Sequence, residues 1–342
     1  MKAIFFEQHG EINVLKYADL PDPEPKPGEA LIKVKAVAIN HLDIWVRRGW
    51  PGLKLAMPHI GGSDIAGEIV SVNAKSIWTP GMKVIVNPGI STSEDEWTRR
   101  GEDSLSPGYK IIGEQSCGGL AELVTVPIQN VFTMPEEWSF EEAAAPLLVG
   151  TTVWRMLFNR AALKAGETVL VVGSGGGVNS LTIPFAKKAG ATVFALAGNQ
   201  EKSRKARELG ADEVIDYSKN PSWHLEILRL SRGRGVDIVV DNVGAPTISM
   251  SLKSVARGGR IVTVGNTKGF DVTFDNRLLF AKQVSLIGST MGSKQDFLDC
   301  IQFMIKNKIK PIIDRVAPLS DGIKMINELE KGNQFGKVVL KP

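Results

Sequence analysis

Cysteine is almost missing from this chain: Cys117 and Cys300 are the two among 342 residues. That excludes a disulfide framework and a cysteine-rich metal cluster. Excess charge of one sign is missing too. The formal net charge is +4, and with no basic block or aromatic–basic interleaving this excludes nucleic acid as a partner. No hydrophobic run approaches the length of a transmembrane helix, which excludes a membrane span. The opening residues meet a charge at Glu7, too soon for a secretory leader, so a cytoplasmic location is expected. No internal repeat or low-complexity tract is visible. What remains is an ordinary soluble composition, 43% hydrophobic and 23% charged, on a chain long enough for two domains with their own cores.

Glycine is where the information lies. Residues 168–180 read Thr-Val-Leu-Val-Val-Gly-Ser-Gly-Gly-Gly-Val-Asn-Ser, a β-preferring run entering a glycine-rich turn, with an apolar helix-like segment over 178–189. Strand, glycine turn and helix present free backbone N–H groups and a helix N-terminus to a pyrophosphate. The strict G-x-G-x-x-G spacing is absent. Gly173 and Gly175 fill its first two places and the third falls on Val178; a slipped alignment uses Ser174, Gly176 and Asn179. The candidate phosphate-binding residues are therefore Gly173, Ser174, Gly175, Gly176, Gly177, Val178 and Asn179.

Repeated strand–helix units follow. Strands are expected at 191–196, 213–215, 236–240 and 260–264, and helices at 200–209, 221–230 and 247–256. Short apolar strands alternating with helices predict a doubly wound parallel sheet of Rossmann type, with the ligand at the carboxyl ends of the strands. An NAD site usually carries Asp or Glu about 20 residues past the glycines, to bind the ribose hydroxyls. Here that place is Ala197, followed by Gly198, Asn199 and Gln200, with Lys202, Arg204 and Lys205 close behind. With no carboxylate to repel a 2′-phosphate and with cations nearby, NADP(H) is the expected cofactor.

The first part of the chain differs. Strands are expected at 31–39, 65–72, 83–86 and 120–126, broken by turns rich in Pro and Gly; the run over 21–28 reads as an extended connector. Many short strands ahead of the Rossmann part predict a separate β-rich, barrel-like domain.

Along the whole chain an ordered series of short motifs resembles the medium-chain dehydrogenases/reductases. It runs through Gly28-Glu29-Ala30-Leu31-Ile32-Lys33-Val34, Asn40-His41-Leu42-Asp43, Gly62-Ser63-Asp64-Ile65-Ala66-Gly67, Gly81-Met82-Lys83-Val84 and Gly118-Gly119-Leu120-Ala121-Glu122. It continues through Ala143-Ala144-Ala145-Pro146-Leu147, the glycine turn, Leu209-Gly210-Ala211-Asp212, Asp241-Asn242-Val243-Gly244 and Gly336-Lys337-Val338-Val339. The resemblance implies a GroES-like catalytic domain over 1–140, completed by 291–342, with a Rossmann domain inserted at 141–290. It implies a homodimer or homotetramer built through the strand at 284–289. It also carries cofactor contacts onto Thr152, Asn242, Val264, Gly265 and Ile287, and onto Tyr217 beside the 2′-phosphate.

The departures from that family are informative. Alcohol dehydrogenases of the family hold a catalytic zinc at places that fall here on Asn40, Ser63 and Leu148, and a structural zinc at places that fall on Thr92, Asp95, Thr98 and Ser106. Zinc needs N, S or carboxylate ligands, so neither site is expected; the spacing of His41, His59, Asp43 and Asp64 fits no standard alternative. The family's proton relay hydroxyl falls on Leu42. The resemblance then narrows to the zinc-free quinone-oxidoreductase and enoyl-reductase branch, where Asn40 corresponds to an active-site Asn that donates its amide N–H to the substrate oxygen. The resemblance implies that His41 contacts the cofactor phosphates, while Asp43 is expected to orient the loop or a neighbouring side chain and His59 to be a turn residue after Pro58. Trp45 and Trp50, with Leu148, suggest an apolar, aromatic-walled cleft suited to a flat carbonyl or quinone substrate. Candidate catalytic residues are Asn40, His41, Asp43, Trp45 and Asp64, with no metal ligands. The expected activity is NADPH-dependent reduction of a quinone, enone or related carbonyl compound. The competing expectations are a metal-free ketone or aldehyde reductase and an NADPH-binding protein that has lost catalysis.

Overall fold

A computed structural model describes residues 1–269 and 271–342. The chain divides into two units. The first comprises Met1–Thr151, Gly292–Leu298 and Lys310–Pro342; the second comprises Thr152–Met291 and Asp299–Ile309. One unit is inserted into the other, the first running to residue 151 where 140 was expected, and residues 299–309 lie in the second. Aromatic packing explains that assignment. Phe303 stacks with Trp154, Phe158 and Phe185 at centroid distances of 5.2–5.7 Å, whereas Phe297, one helical stretch earlier, lies 5.1 Å from Phe132 in the first unit.

The first unit is built on a sheet ordered Val131–Thr133, Lys83–Val86, Asp64–Val72, Glu29–Ile39, Lys337–Lys341 and Ile313–Pro318; Leu123–Pro127 also pairs with Glu29–Ile39. The central strand alternates inward positions such as Ala30, Ile32 and Val34 with more exposed ones, as a half-buried strand requires. Register shifts at Leu31/Ile32 and Val34/Ala36 bend it so that one strand serves three partners. Gly67 permits the tight pairing there: a Cβ on it would stand 2.3 Å from the Lys33 carbonyl oxygen. Ile4, Ile32, Ile39, Ile65, Val84, Leu120 and Leu340 share one buried core. Such a β-rich, barrel-like unit is the GroES-like domain expected from the sequence.

The second unit carries six parallel strands in the order Glu213–Asp216, Thr192–Ala197, Thr168–Val172, Val236–Asp241, Val255–Thr263 and Ser285–Gly288. The order reverses direction beside Thr168–Val172, the topological switch point at which such sheets bind dinucleotides. Leu170, Val239, Ile261 and Leu252 are among its fully buried core residues. One expected helix is shorter than 247–256: it spans Ile248–Ser254, and Val255 and Ala256 join the following strand, Val255 pairing with Val236. No helix among the described residues is long and apolar enough to cross a membrane.

Candidate active site and cofactor-binding turn

Register in the first unit's sheet builds the candidate catalytic cluster. Val338 pairs with Ile39 on one side of the central strand, and Asp64 pairs with Ala38 on the other. Side chains directly opposite share a face, and so do residues two apart on one strand. Asn40, Asp64 and Lys337 therefore leave the ends of three adjacent strands on the same face. The contacts bear this out. The Lys337 ammonium donates to Asp64 Oδ2 at 2.8 Å and makes a short hydrogen bond to Asn40 Oδ1. Asn40 Nδ2 donates to the same Asp64 oxygen at 2.9 Å. Asp64 and Lys337 are 0% and 5% exposed, so the ion pair sits in a setting where removing one partner costs about 3–5 kcal/mol. The other Asp64 oxygen accepts the Leu148 N–H at 2.6 Å, in the first turn of the helix Leu147–Trp154, where helical geometry leaves N–H groups unpaired.

Asn40 does not keep the role expected of it. Its carboxamide has two N–H groups; one goes to Asp64 and the other to the Ala38 carbonyl oxygen at 3.4 Å. The amide orientation is fixed chemically, since an ammonium only donates and a carboxylate only accepts. The amide is an internal bridge, and the cation beside it, Lys337, is the group that sequence reasoning passed over. Lys337 stood there only as a letter in a closing motif; its pairing with a strand about three hundred residues earlier has no local signature.

Asp43 holds the loop. It lies in the first turn of the helix His41–Arg48, and its carboxylate accepts the N–H groups of Asn40 and Gly62, both at 2.7 Å. Gly62 has φ +92° and lies against Leu120 and Val37, so no side chain fits there. Burial raises the Asp43 carboxyl to about 6; the two N–H groups and Lys337 pull the other way, and Asp64 adds to the rise. His41 and Trp45 are half-buried neighbours on the same helix, their rings 6.3 Å apart. Trp50 is exposed. His59 is no turn residue: it is buried in the strand His59–Ile60, its Nε2 bonds the Gly113 carbonyl, and burial lowers its pKa. Ser63 Oγ is buried with no hydrogen-bond partner among the described residues.

These residues do not fit a catalytic zinc. The three ligand places hold an amide, a hydroxyl and an aliphatic side chain, and the amide already bridges an ammonium whose positive charge would repel a metal cation. Among the described residues no group of three or more His, Cys, Asp or Glu could hold a metal ion. The structural-zinc places have been rebuilt with hydrogen bonds. Asp95 accepts from the N–H groups of Trp97 and Thr98 and, at 2.6 Å, from the Ser106 hydroxyl, while Thr98 Oγ1 accepts the Asp95 N–H at 3.0 Å. The Ser106 hydroxyl, before the backbone donors, holds the Asp95 carboxyl below the usual range. Thr92, at the fourth place, is exposed. A cavity of about 480 Å³ opens in this lobe, lined by Asn87, Glu94, Arg99, Tyr109 and Lys294 among others; none of Asn40, Asp64 or Lys337 lines it.

The second unit carries the cofactor turn. Gly173, with φ +81°, turns the chain out of the strand Thr168–Val172, and Ser174 N bonds Leu196 O at 2.8 Å. Gly176 is the N-cap of the helix Gly177–Lys188 and offers no side-chain cap. The first-turn N–H groups of that helix thus lack a side-chain acceptor, and no atom lies within 4 Å of where a Gly176 Cβ would stand. Ser174 Oγ is buried without a partner among the described residues. An open approach, uncapped N–H groups and an orphan hydroxyl fit a bound pyrophosphate.

Asn179 explains the missing third glycine. Its Nδ2 donates to Val172 O at 2.6 Å and Gly173 O at 3.0 Å, while its Oδ1 accepts from Asn242 Nδ2 at 2.7 Å. Asn242 Oδ1 in turn accepts the Val264 N–H at 2.7 Å. Two asparagines thereby tie together the ends of three strands around the turn, and Val264 leads into Gly265, at φ +99°. Ala197 is buried, and a Cβ on Gly198 would meet the Tyr217 hydroxyl at 2.6 Å, so Tyr217 covers the place where a ribose-binding side chain would start. Asn199 caps the next helix by accepting the Lys202 N–H at 2.8 Å. Of the cations behind it, Arg204 pairs with Glu208 and Lys205 with Glu201 along the helix. Thr152 is buried, its hydroxyl 3.8 Å from Met291 Sδ, and Ile287 lies on the edge strand.

Fold and turn together define a pyridine-nucleotide oxidoreductase. Residues 26–136 match the alcohol dehydrogenase GroES-like domain, and residues 177–306 match the zinc-binding dehydrogenase domain. The chain is 32% identical to an NAD-dependent alcohol dehydrogenase of Sulfurisphaera tokodaii, covering 96% of both chains. It is 30% identical to a quinone oxidoreductase of Mus musculus, over 99% of this chain and 97% of that one. A solved structure described as an NAD-dependent alcohol dehydrogenase superposes with a TM-score of 0.95 at 40% identity, with full coverage of both chains. The chain belongs to the medium-chain dehydrogenase/reductase superfamily.

Proposed function

We propose that this protein is a zinc-independent, NADPH-dependent reductase that delivers hydride to a quinone, enone or related activated carbonyl compound. The observation that carries the reading is the replacement of all three catalytic-zinc ligand places by Asn40, Ser63 and Leu148, with an ammonium bonded to the first of them. Oxidising a saturated alcohol requires stabilising an alkoxide, the task a Lewis-acid metal performs well. Hydride addition to an alkene or quinone spreads the charge over a π system, for which hydrogen bonding suffices. The cofactor, when bound, supplies the hydride. The turn from Gly173 to Asn179 holds its pyrophosphate on backbone N–H groups, and Asn179 and Asn242 keep that turn in place. The absence of Asp or Glu at 197–199, with Lys202 close by, favours the 2′-phosphate form, although the Sulfurisphaera relative is named for NAD. Leu286, exposed on the edge strand Ser285–Gly288, supports pairing of two copies through that strand.

The test is oxidation of NADPH with a cyclic enone and its saturated ketone side by side. Turnover of the enone with none of the ketone supports the reading. Ketone turnover at a comparable rate replaces it with metal-free carbonyl reduction, and cofactor binding without turnover of either, or of a quinone, replaces it with a binding protein.

A further inference from the structure

The cavity in the lobe of the first unit is lined by none of the candidate catalytic residues. We propose that it is a binding site for a neutral, polyhydroxylated molecule of monosaccharide size. All its lining residues belong to the first unit, and every one of them except Gly89 carries a polar side chain. Its volume, about 480 Å³, falls within the range of small-molecule sites, whose walls are usually apolar. A wall without aliphatic side chains selects against an apolar occupant, which would leave those polar groups desolvated and without partners.

Two asparagines form the buried end of the lining. Val131 pairs with Val86, which sets Asn130 and Asn87, the next residue on each chain segment, side by side; the Asn87 N–H donates to Asn130 O at 2.8 Å. They are 3% and 4% exposed. Asn130 Nδ2 donates to the carbonyl oxygens of Asn87 and Gly89 at 2.8 and 2.6 Å, and Asn87 Oδ1 accepts the Gly89 N–H at 3.1 Å. Those bonds fix both carboxamides, since a carbonyl only accepts and an N–H only donates. Asn130 Oδ1 and Asn87 Nδ2 are left with no partner among the described residues, one an acceptor and the other a donor, in side chains of residues that line the cavity. Buried polar groups are satisfied as a rule, and a hydroxyl, which donates and accepts through one atom, answers both.

The more exposed lining carries two acids, Glu94 and Asp103, and two bases, Arg99 and Lys294. Asp103 Oδ2 accepts the Lys294 N–H at 2.9 Å, and Arg99 Nε donates to Asp95 O at 2.9 Å. The terminal amines of Arg99, the Glu94 carboxylate and Asp103 Oδ1 have no partner among the described residues. They offer donors and acceptors to further hydroxyls, while their equal numbers leave no net charge to draw an ion. The buried end offers neutral amides, so an ionic group gains no counter-charge there.

Calorimetric titration of the full chain, kept saturated with NADP+, tests the site with four probes: D-glucose, myo-inositol, glycine and inorganic phosphate. Glucose or myo-inositol should give a saturable heat and bind more tightly than glycine or phosphate. Asn87→Ala should weaken that binding about tenfold, the effect of one to two neutral hydrogen bonds. Because Asn87 also holds Gly89, a second variant is read beside it. Glu94→Ala, at an exposed side chain, should weaken the sugar several-fold and leave the unfolding midpoint and the NADP+ affinity as in the parent. Absence of saturable sugar binding overturns the proposal, and so does sugar binding that neither variant changes, which puts the sugar elsewhere. Glycine or phosphate binding more tightly than either sugar also overturns it, by making the cavity an ion site.

Discussion

Asp43 offers the sharpest test of the site's electrostatics. Burial lifts its carboxyl from the ordinary 3.8 to about 6 in the folded protein. The folded state therefore keeps a proton that the unfolded chain releases between those two values. Stability from this group is fully present below about pH 4, falls as pH rises, and is flat above about pH 6. A shift of about two units corresponds to about 3 kcal/mol over the whole range. Integrated between about pH 4.5 and about pH 7, the loss is about 2 kcal/mol. Asp43→Asn removes the titration. It retains one acceptor but turns an N–H2 toward one of the two backbone N–H groups, a penalty of about 1–3 kcal/mol that does not depend on pH. Urea unfolding of both proteins, followed by tryptophan fluorescence, should show the parent's advantage shrinking by about 2 kcal/mol from the lower pH to the higher. An advantage that grows with pH would mean that the Asn40 and Gly62 N–H groups outweigh burial and hold the carboxylate ionised, and the reasoning would be refuted.

Three further outcomes are expected. Asn179→Ala removes the bonds to Val172, Gly173 and Asn242; NADPH affinity measured by fluorescence titration should fall about tenfold, the effect of one to two neutral hydrogen bonds, with enone kcat at saturating cofactor little changed. Lys202→Ala should weaken NADPH while leaving NADH nearly as before, and equal losses for both would remove Lys202 from the 2′-phosphate. Asp95→Ala unties Trp97, Thr98 and Ser106, so limited proteolysis should open the segment near residues 91–106 first; in the parent, a chelator should leave that segment as protected as before, and a chelator-induced cut there would reinstate a metal.

Much of the second unit was legible because its determinants are local. Apolar strands, helices and a glycine turn recur at short range, and the strand order then follows from crossover geometry. The glycine turn stands out in the sequence as a local run, but the tie from Asn179 to Asn242 joins residues whose neighbourhood depends on strand order, so it needed the structure. In the first unit, Asn40, Asp43 and Asp64 were found through motifs that lie close together in the chain. Lys337 was not, because its relation to Asn40 is a matter of β register across a distant pairing. The redirection of the Asn40 amide followed from the same omission: without a cation beside its oxygen, nothing in the sequence says which way a carboxamide faces.

The same register has a consequence for the order in which the molecule is made. Asp64 leaves the ribosome long before Lys337, and the entire second unit is synthesised between them. Until the strand Lys337–Lys341 arrives beside Glu29–Ile39, Asp64 has no counter-charge with which to enter a dry interior. The strand that flanks that side of the central strand is thus the last of the first unit's sheet to be made, after every residue of the Rossmann unit. The unit that begins first finishes last, and Lys337, on its final strand, brings Asp64 its counter-charge.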